Sequence, residues 1–188
     1  YLNTYGSLYS ISDKGEIKWF INLNQSLDIN PSNLFYSNPI VLHQDKLIVS
    51  TDLYLYILDS NTGSAFFKIA ITSLLKPIVS GKNLFLITKD NLLVCINLDS
   101  GKIIYSADIS QNIADFLDTK KKSIDIKSLA IVNSELFLFL NNSYLVKFNL
   151  NGIIKNIHKL TSKLRSSPLF INDSIIYLDN KNKLVILN

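Results

Sequence analysis

The chain is poor in the residues from which reactive sites are usually built. Its 188 residues contain no methionine, one tryptophan, one arginine (Arg165), one cysteine (Cys95) and two histidines (His43 and His158). A single thiol excludes an internal disulfide and a cysteine-based metal cluster. Cys95 lies in the apolar run Leu92-Leu-Val-Cys-Ile96, where cysteine acts as a small buried hydrophobe. No CxxC, HExxH or Gly-rich phosphate loop occurs. His43 falls in a predicted turn beside Gln44 and Asp45, and His158 late in an outer strand. Neither has a nucleophile at a telling spacing. No apolar run approaches the ~18–20 residues of a transmembrane helix. No signal-peptide pattern opens the chain, which starts at Tyr1 rather than Met, so a leader removed with other sequence is the expectation.

Charge is also sparse. Charged residues make up 18% of the chain and hydrophobic residues 47%, a balance that excludes disorder and supplies a full core. The net charge of +4 comes from scattered lysines. No arginine-rich stripe forms, so the basic balance reads as a solvated surface and not as a nucleic-acid face.

What the chain does have is a repeat: apolar strand, turn, apolar strand, then Asp/Asn-x-x-x-Gly, then another strand. It appears as Asp59-Ser-Asn-Thr-Gly63 and Asn97-Leu-Asp-Ser-Gly101, in shorter form as Asn149-Leu-Asn-Gly152, and as the related Ser12-Asp-Lys-Gly15. Four residues after each glycine comes a fixed slot, filled by Trp19, Phe67, Tyr105 and Asn156. Pro39, Pro77 and Ser128 each lie 24 residues before the glycine of their unit. A unit of roughly 40–50 residues with four short strands matches a propeller blade.

The expected fold is therefore all-β, a single β-propeller segment over 1–188 with about four four-stranded antiparallel blades. A partial blade spans 1–23, blades span 37–71, 76–109 and 128–160, and a second partial blade spans 167–188. Strands are labelled A to D from the inside outward. Strand D of the third blade is expected over 102–109. Inner strands are apolar with little alternation, as suits burial on both faces. The turn glycines supply positive φ, and the aromatic slot is expected to pack between blades as a core plug.

The pattern Pro-Ile-Val, then Asp/Asn-x-x-x-Gly-x-x-x-aromatic, resembles the blade repeat of the pyrroloquinoline-quinone-like β-propellers. Gly15-Glu-Ile-Lys-Trp19 and Gly101-Lys-Ile-Ile-Tyr105 carry it best. The superfamily includes the BamB type, periplasmic lipoproteins of the machinery that assembles outer-membrane β-barrels, and also quinoprotein dehydrogenases. The resemblance implies seven or eight blades, a periplasmic location, and a lipid anchor to the outer membrane in the full-length precursor. The chain departs from the pattern at Asn156 and in its B–C turns. Thr88-Lys-Asp-Asn91 and Asn141-Asn-Ser143 lack the usual glycine, which only Tyr5-Gly6 keeps.

A quinone site would need a carboxylate base, cation ligands and a flat apolar platform. Glu135 opens a strand B and Glu16 a strand D, so neither stands centrally. No catalytic, cofactor-binding or metal-binding residue is assigned, and no cofactor is expected. The reading is a non-catalytic scaffold aiding outer-membrane β-barrel assembly, with a protein partner in that machinery and no nucleic acid. The alternatives are a fragment of a quinone-dependent dehydrogenase and an extracellular ligand-binding or sensor propeller. Partner binding is expected on the face that carries the D–A and B–C connections, since long loops on rigid scaffolds carry function. Long D–A loops run from Asn24 to Tyr36 and from Ser110 to Lys127. In the second, Ile113, Phe116 and Leu117 are spaced for one helical turn. The candidate residues are Phe116, Leu117, Lys120, Lys121 and Lys122, with Lys89, Asp90, Asn141 and Asn142 from the B–C turns. The strand count does not allow the ends to share one blade. That predicts a fragment of a longer propeller or a homodimer through exposed blade faces.

Overall fold

The apolar β-rich runs form short antiparallel strands, each ended by a turn that glycine, asparagine or serine can make. The computed structural model describes residues 1–24, 35–172 and 174–187. Residues 25–34, most of the first long D–A loop, together with Asp173 and Asn188, lie outside the described residues. The chain divides into two compact units, one of Tyr1–Lys89 with Ile96–Ile103 and the other of Asp90–Cys95 with Ile104–Asn188.

In the first unit, β1 (Ser7–Ile11) and β2 (Ile17–Asn22) form a hairpin. An isolated bridge from Leu2 to Leu8 marks a stub beside it. A four-stranded sheet follows in the order β3 (Val41–His43), β4 (Lys46–Ser50), β5 (Leu55–Asp59), β6 (Ala65–Ile69). The next sheet has the order β7 (Ile78–Ser80), β8 (Asn83–Ile87), β9 (Leu92–Asn97), β10 (Ile103–Asp108), and the division between units falls within it. The second unit also holds helix α1 (Ile109–Phe116) and the sheet β11 (Ile126–Val132), β12 (Glu135–Leu140), β13 (Tyr144–Asn149), β14 (Ile154–Lys159). Three strands complete it: β15 (Leu169–Ile171), β16 (Ser174–Leu178) and β17 (Leu184–Leu187).

Burial is greatest in the middle strands. Most residues of β4, β5, β8, β9 and β12 and half of those of β13 are buried, while β6, β10 and β14 expose much of their length. The first strands β3, β7 and β15 are three residues long and only partly covered. Within the first unit, Leu8, Leu23, Val49, Tyr56 and Leu58 join the first hairpin to the second sheet, with Trp19 and Ile21 against them. Within the second, Phe137, Phe139, Leu145 and Tyr177 do the same for the last two sheets, with Phe170 set edge-on to Phe137 at 5.3 Å.

The Asp/Asn-x-x-x-Gly turns share one construction. The first residue's side-chain oxygen accepts backbone N–H groups within the turn. Asp59 accepts from Asn61 and Thr62 at 2.7 and 2.8 Å, and Asn97 from Asp99 and Ser100 at 3.1 and 2.9 Å. Asn149 accepts from Asn151 and Ile153, both at 3.0 Å. Each glycine N–H returns to the carbonyl of that first residue. Register shifts fall just before two of these turns, at Ile57/Leu58 and Lys147/Phe148, and before the related Ser12-Asp-Lys-Gly15 turn, at Ser10/Ile11. Such bulges sharpen the local twist.

The slot aromatics lie on the glycine of the following turn. A methyl group built on Gly63 would stand 2.6 Å from Trp19, one on Gly101 2.5 Å from Phe67, and one on Gly152 2.6 Å from Tyr105. Trp19 Nε1 donates to the Ser60 carbonyl at 3.2 Å, and the Tyr105 hydroxyl to the Leu150 carbonyl at 3.0 Å. These glycines therefore meet two demands, a positive φ and room for a ring. Gly15 has the same backbone, φ +84, but no described atom lies within 4 Å of where a side chain would start.

Two readings need correction. His43 is not a turn residue but the end of β3, paired with Lys46, because Gln44 takes φ 54 and the turn shrinks to Gln44-Asp45. Ile109 is not the end of a strand. Strand β10 stops at Asp108, whose side chain caps a helix that starts at Ile109.

Candidate binding face

The insertion after β10 builds the site. Asp108 keeps extended backbone and its side chain accepts the Gln111 N–H at 2.9 Å, the N-cap bond that a helix start needs. Asp108 also holds Lys121 at 2.5 Å. The hydrogen bond from Lys121, and then that from the Gln111 N–H, keep the Asp108 carboxyl below the usual aspartate range. The helix ends where Asp118 turns left-handed, φ 49, and Thr119 N–H returns to the Ala114 carbonyl at 2.9 Å. Ile109, Ser110 and Ala114 form its buried side. Phe116 and Leu117, read from sequence as part of one helical turn, sit at its C-terminal end with 48% and 47% of their surface exposed.

Beneath the helix is a cleft of about 250 Å³. Ile113, Ala114 and Leu117 line one side, Ile124 closes the loop side, and Leu140, Tyr144, Val146 and Ile157 come from the sheet β11–β14. Lys120, Lys122 and Asn142 stand around it. The structure thus brings Leu117, Lys120, Lys122 and Asn142 to one cleft, with Phe116 at the adjoining helix end. Asn141 is held by its N–H to the Asp125 carbonyl at 2.9 Å and does not line the cleft. Lys121 is taken by Asp108. Lys89 belongs to the first unit, where it pairs with Asp52 at 3.5 Å. Asp90 is exposed in the turn before β9 and also stands outside the cleft. The sheet residues of the wall were not found from sequence, since residues so far apart carry no local signal of meeting.

Elsewhere, polar groups serve the frame. Burial pushes the Cys95 thiol up to about 11, which keeps it protonated and unreactive at neutral pH. Burial, and then neighbouring Cys95, raise Tyr105. Glu135 is lowered by its hydrogen bond from Lys155. His43 and His158 stand in different sheets. No group of three His, Cys, Asp or Glu side chains is placed to hold a metal among the described residues. No helix among them is long and apolar enough to cross a membrane.

No family model matches the sequence, and no curated protein matches it. Among solved structures the chain is similar to BamB from Moraxella catarrhalis, with 11% identity and a TM-score of 0.64 over 98% of this chain. It spans 65% of that BamB chain. It is also similar to the computationally designed Ika4 protein, with 10% identity and a TM-score of 0.58 over 81% of this chain and 90% of that one. The designed Ika8 protein gives 12% identity and a TM-score of 0.59, covering 96% and 55%. At such identities the likeness establishes the fold alone. The chain is an all-β propeller segment of small antiparallel sheets, like BamB in architecture.

Proposed function

We propose that this chain is a non-catalytic protein-interaction scaffold of the BamB-like type, serving outer-membrane β-barrel assembly in the periplasm. Its full-length precursor would carry the lipid that anchors it to the outer membrane. The observation that carries the reading is the apolar cleft under α1, with Phe116 and Leu117 exposed beside it on a rigid sheet frame. A few apolar anchors at the centre of a contact carry most of its binding energy. A second association mode accompanies it. The outward face of the first hairpin bears Tyr9 stacked on Phe20 at 5.8 Å, with Tyr1 6.3 Å from Tyr9 and Ile11 and Ile17 exposed. The last sheet exposes Leu169, Ile171, Leu184 and Ile186. Such apolar faces favour a homodimer or further blades.

The test is titration calorimetry of the purified chain against the periplasmic part of a barrel-assembling outer-membrane protein. A saturable complex is expected. Saturable binding of pyrroloquinoline quinone, with calcium-dependent dye reduction, would replace the scaffold by the dehydrogenase reading.

A further inference from the structure

We propose that the cleft under α1 receives an apolar side chain from an acidic peptide segment. This deepens the docking reading above and rests on it. Three observations on the cleft set the ligand chemistry.

Size comes first. Pockets that enclose a drug-sized molecule run to ~300–1,000 Å³, and this one holds about 250 Å³. That suits an anchoring side chain and its neighbour. The lining comes second. Ile113, Ala114, Leu117, Ile124, Val146 and Ile157 present hydrocarbon, which favours an aliphatic or aromatic anchor.

Charge comes third. The segment around α1 is not basic as a whole, because Asp108, Asp115, Asp118 and Asp125 accompany Lys120, Lys121, Lys122 and Lys127. The aspartates do not line the cleft, and Lys121 is occupied by Asp108. Among the described residues, Lys120 and Lys122 are the only charged ones that line it. Both are exposed, and neither has an ion-pair partner among the described residues. An apolar floor with two unpaired ammonium groups at its edge selects an apolar anchor flanked by carboxylates. Charges at such a rim set specificity and on-rate more than total affinity.

The experiment is fluorescence anisotropy with a fluorescein-labelled peptide that carries a Phe-Leu pair between glutamates. Control peptides replace Phe-Leu by Ser-Ser, or the glutamates by lysines. Saturable binding of the first peptide alone is expected. The double reversal K120E/K122E should weaken it about tenfold, since each exposed pair adds ~0.2–1 kcal/mol and reversal adds repulsion. Leu117→Ser should weaken it by a similar factor. These side chains are exposed, so an unchanged melting temperature verifies the fold of each variant. Equal binding of the Ser-Ser peptide, or an affinity indifferent to the lysine reversal, overturns the proposal. So does binding of decanoate without binding of the peptide. The calorimetric titration against the assembly protein is independent of this probe. A partner that binds while the peptide does not leaves the scaffold reading standing and removes this one.

Discussion

The C–D turns and the B–C and D–A connections leave the same sheets at opposite ends, and they differ in how strictly they repeat. At the C–D end, three glycines lie under three rings in nearly the same geometry. At the other end the repeat lapses. Positive φ is taken by Asn91 (60), Ser143 (68) and Asn182 (60) where only Gly6 is glycine, and one connection grows into α1. At Gly63, Gly101 and Gly152 the first end cannot vary because a ring fills the space a side chain would need. The second can where, as at Asn91, Ser143 and Asn182, the turn needs only a backbone conformation; Gly6, buried against Asn24 and the Phe35 ring, is its exception. Architecture is set at one end, and recognition is free to develop at the other.

The largest effect should come from removing a ring. Trp19→Ala deletes the cover of Gly63 and the bond to Ser60. Truncating a packed aromatic costs about 3 kcal/mol. For a chain of this size that lowers the melting temperature by about 6–12 °C.

Gly15 and Gly63 sharpen the comparison, because their backbones match at φ +84 and +75 and only their surroundings differ. Gly15→Ala should cost about 1 kcal/mol, the conformational penalty alone. Gly63→Ala adds a clash with the Trp19 ring and should cost about 2–3 kcal/mol. Chemical denaturation of the two variants measures the difference. Equal losses would show that the ring yields and that conformation alone selects glycine.

At the other end the effects are smaller and reversed in sign. Ser143→Gly should stabilise by about 0.5 kcal/mol, since relief of the left-handed strain outweighs the added freedom of the unfolded chain. Asn91→Gly should gain less, because asparagine tolerates that conformation.

Smaller still is the effect of the cap charge. Hydrogen bonds from the Thr62 and Asn61 N–H groups lower the Asp59 carboxyl. A lowered folded-state value contributes stability above the usual aspartate range, and that stability is lost as pH falls through the folded value. Asp59→Asn keeps the acceptor oxygen, as Asn97 and Asn149 already do. It should lower stability at neutral pH slightly, since the ionised acceptor is lost, and flatten the acid limb of the melting profile. An undiminished acid limb would assign it to Asp99, Asp108 or Glu135, which are lowered as well.

The repeat was legible because its determinants are local. Asp59 to Gly63 and Asn97 to Gly101 state a turn within five residues, and the slot residue follows at a fixed distance. The ring-on-glycine pairing joins Trp19 to Gly63, residues from successive repeats, and sequence alone could give only the plug and not its socket. The start of α1 was misread because Ile109 extends an apolar strand. A signal was present, since Asp108 and Gln111 have the spacing of a helix N-cap pair. The cleft needed the structure, because Tyr144, Val146 and Ile157 reach it only through the pairing of β13 with β14.

The most direct test of the division between frame and recognition surface is the double variant F116S/L117S, read for stability and binding on the same sample. Both side chains are about half exposed at the end of α1. The account predicts a melting temperature within about 2 °C of the parent and loss of most binding to the assembly partner. A large fall in melting temperature, or undiminished binding, would contradict it by making these residues part of the frame or irrelevant to recognition.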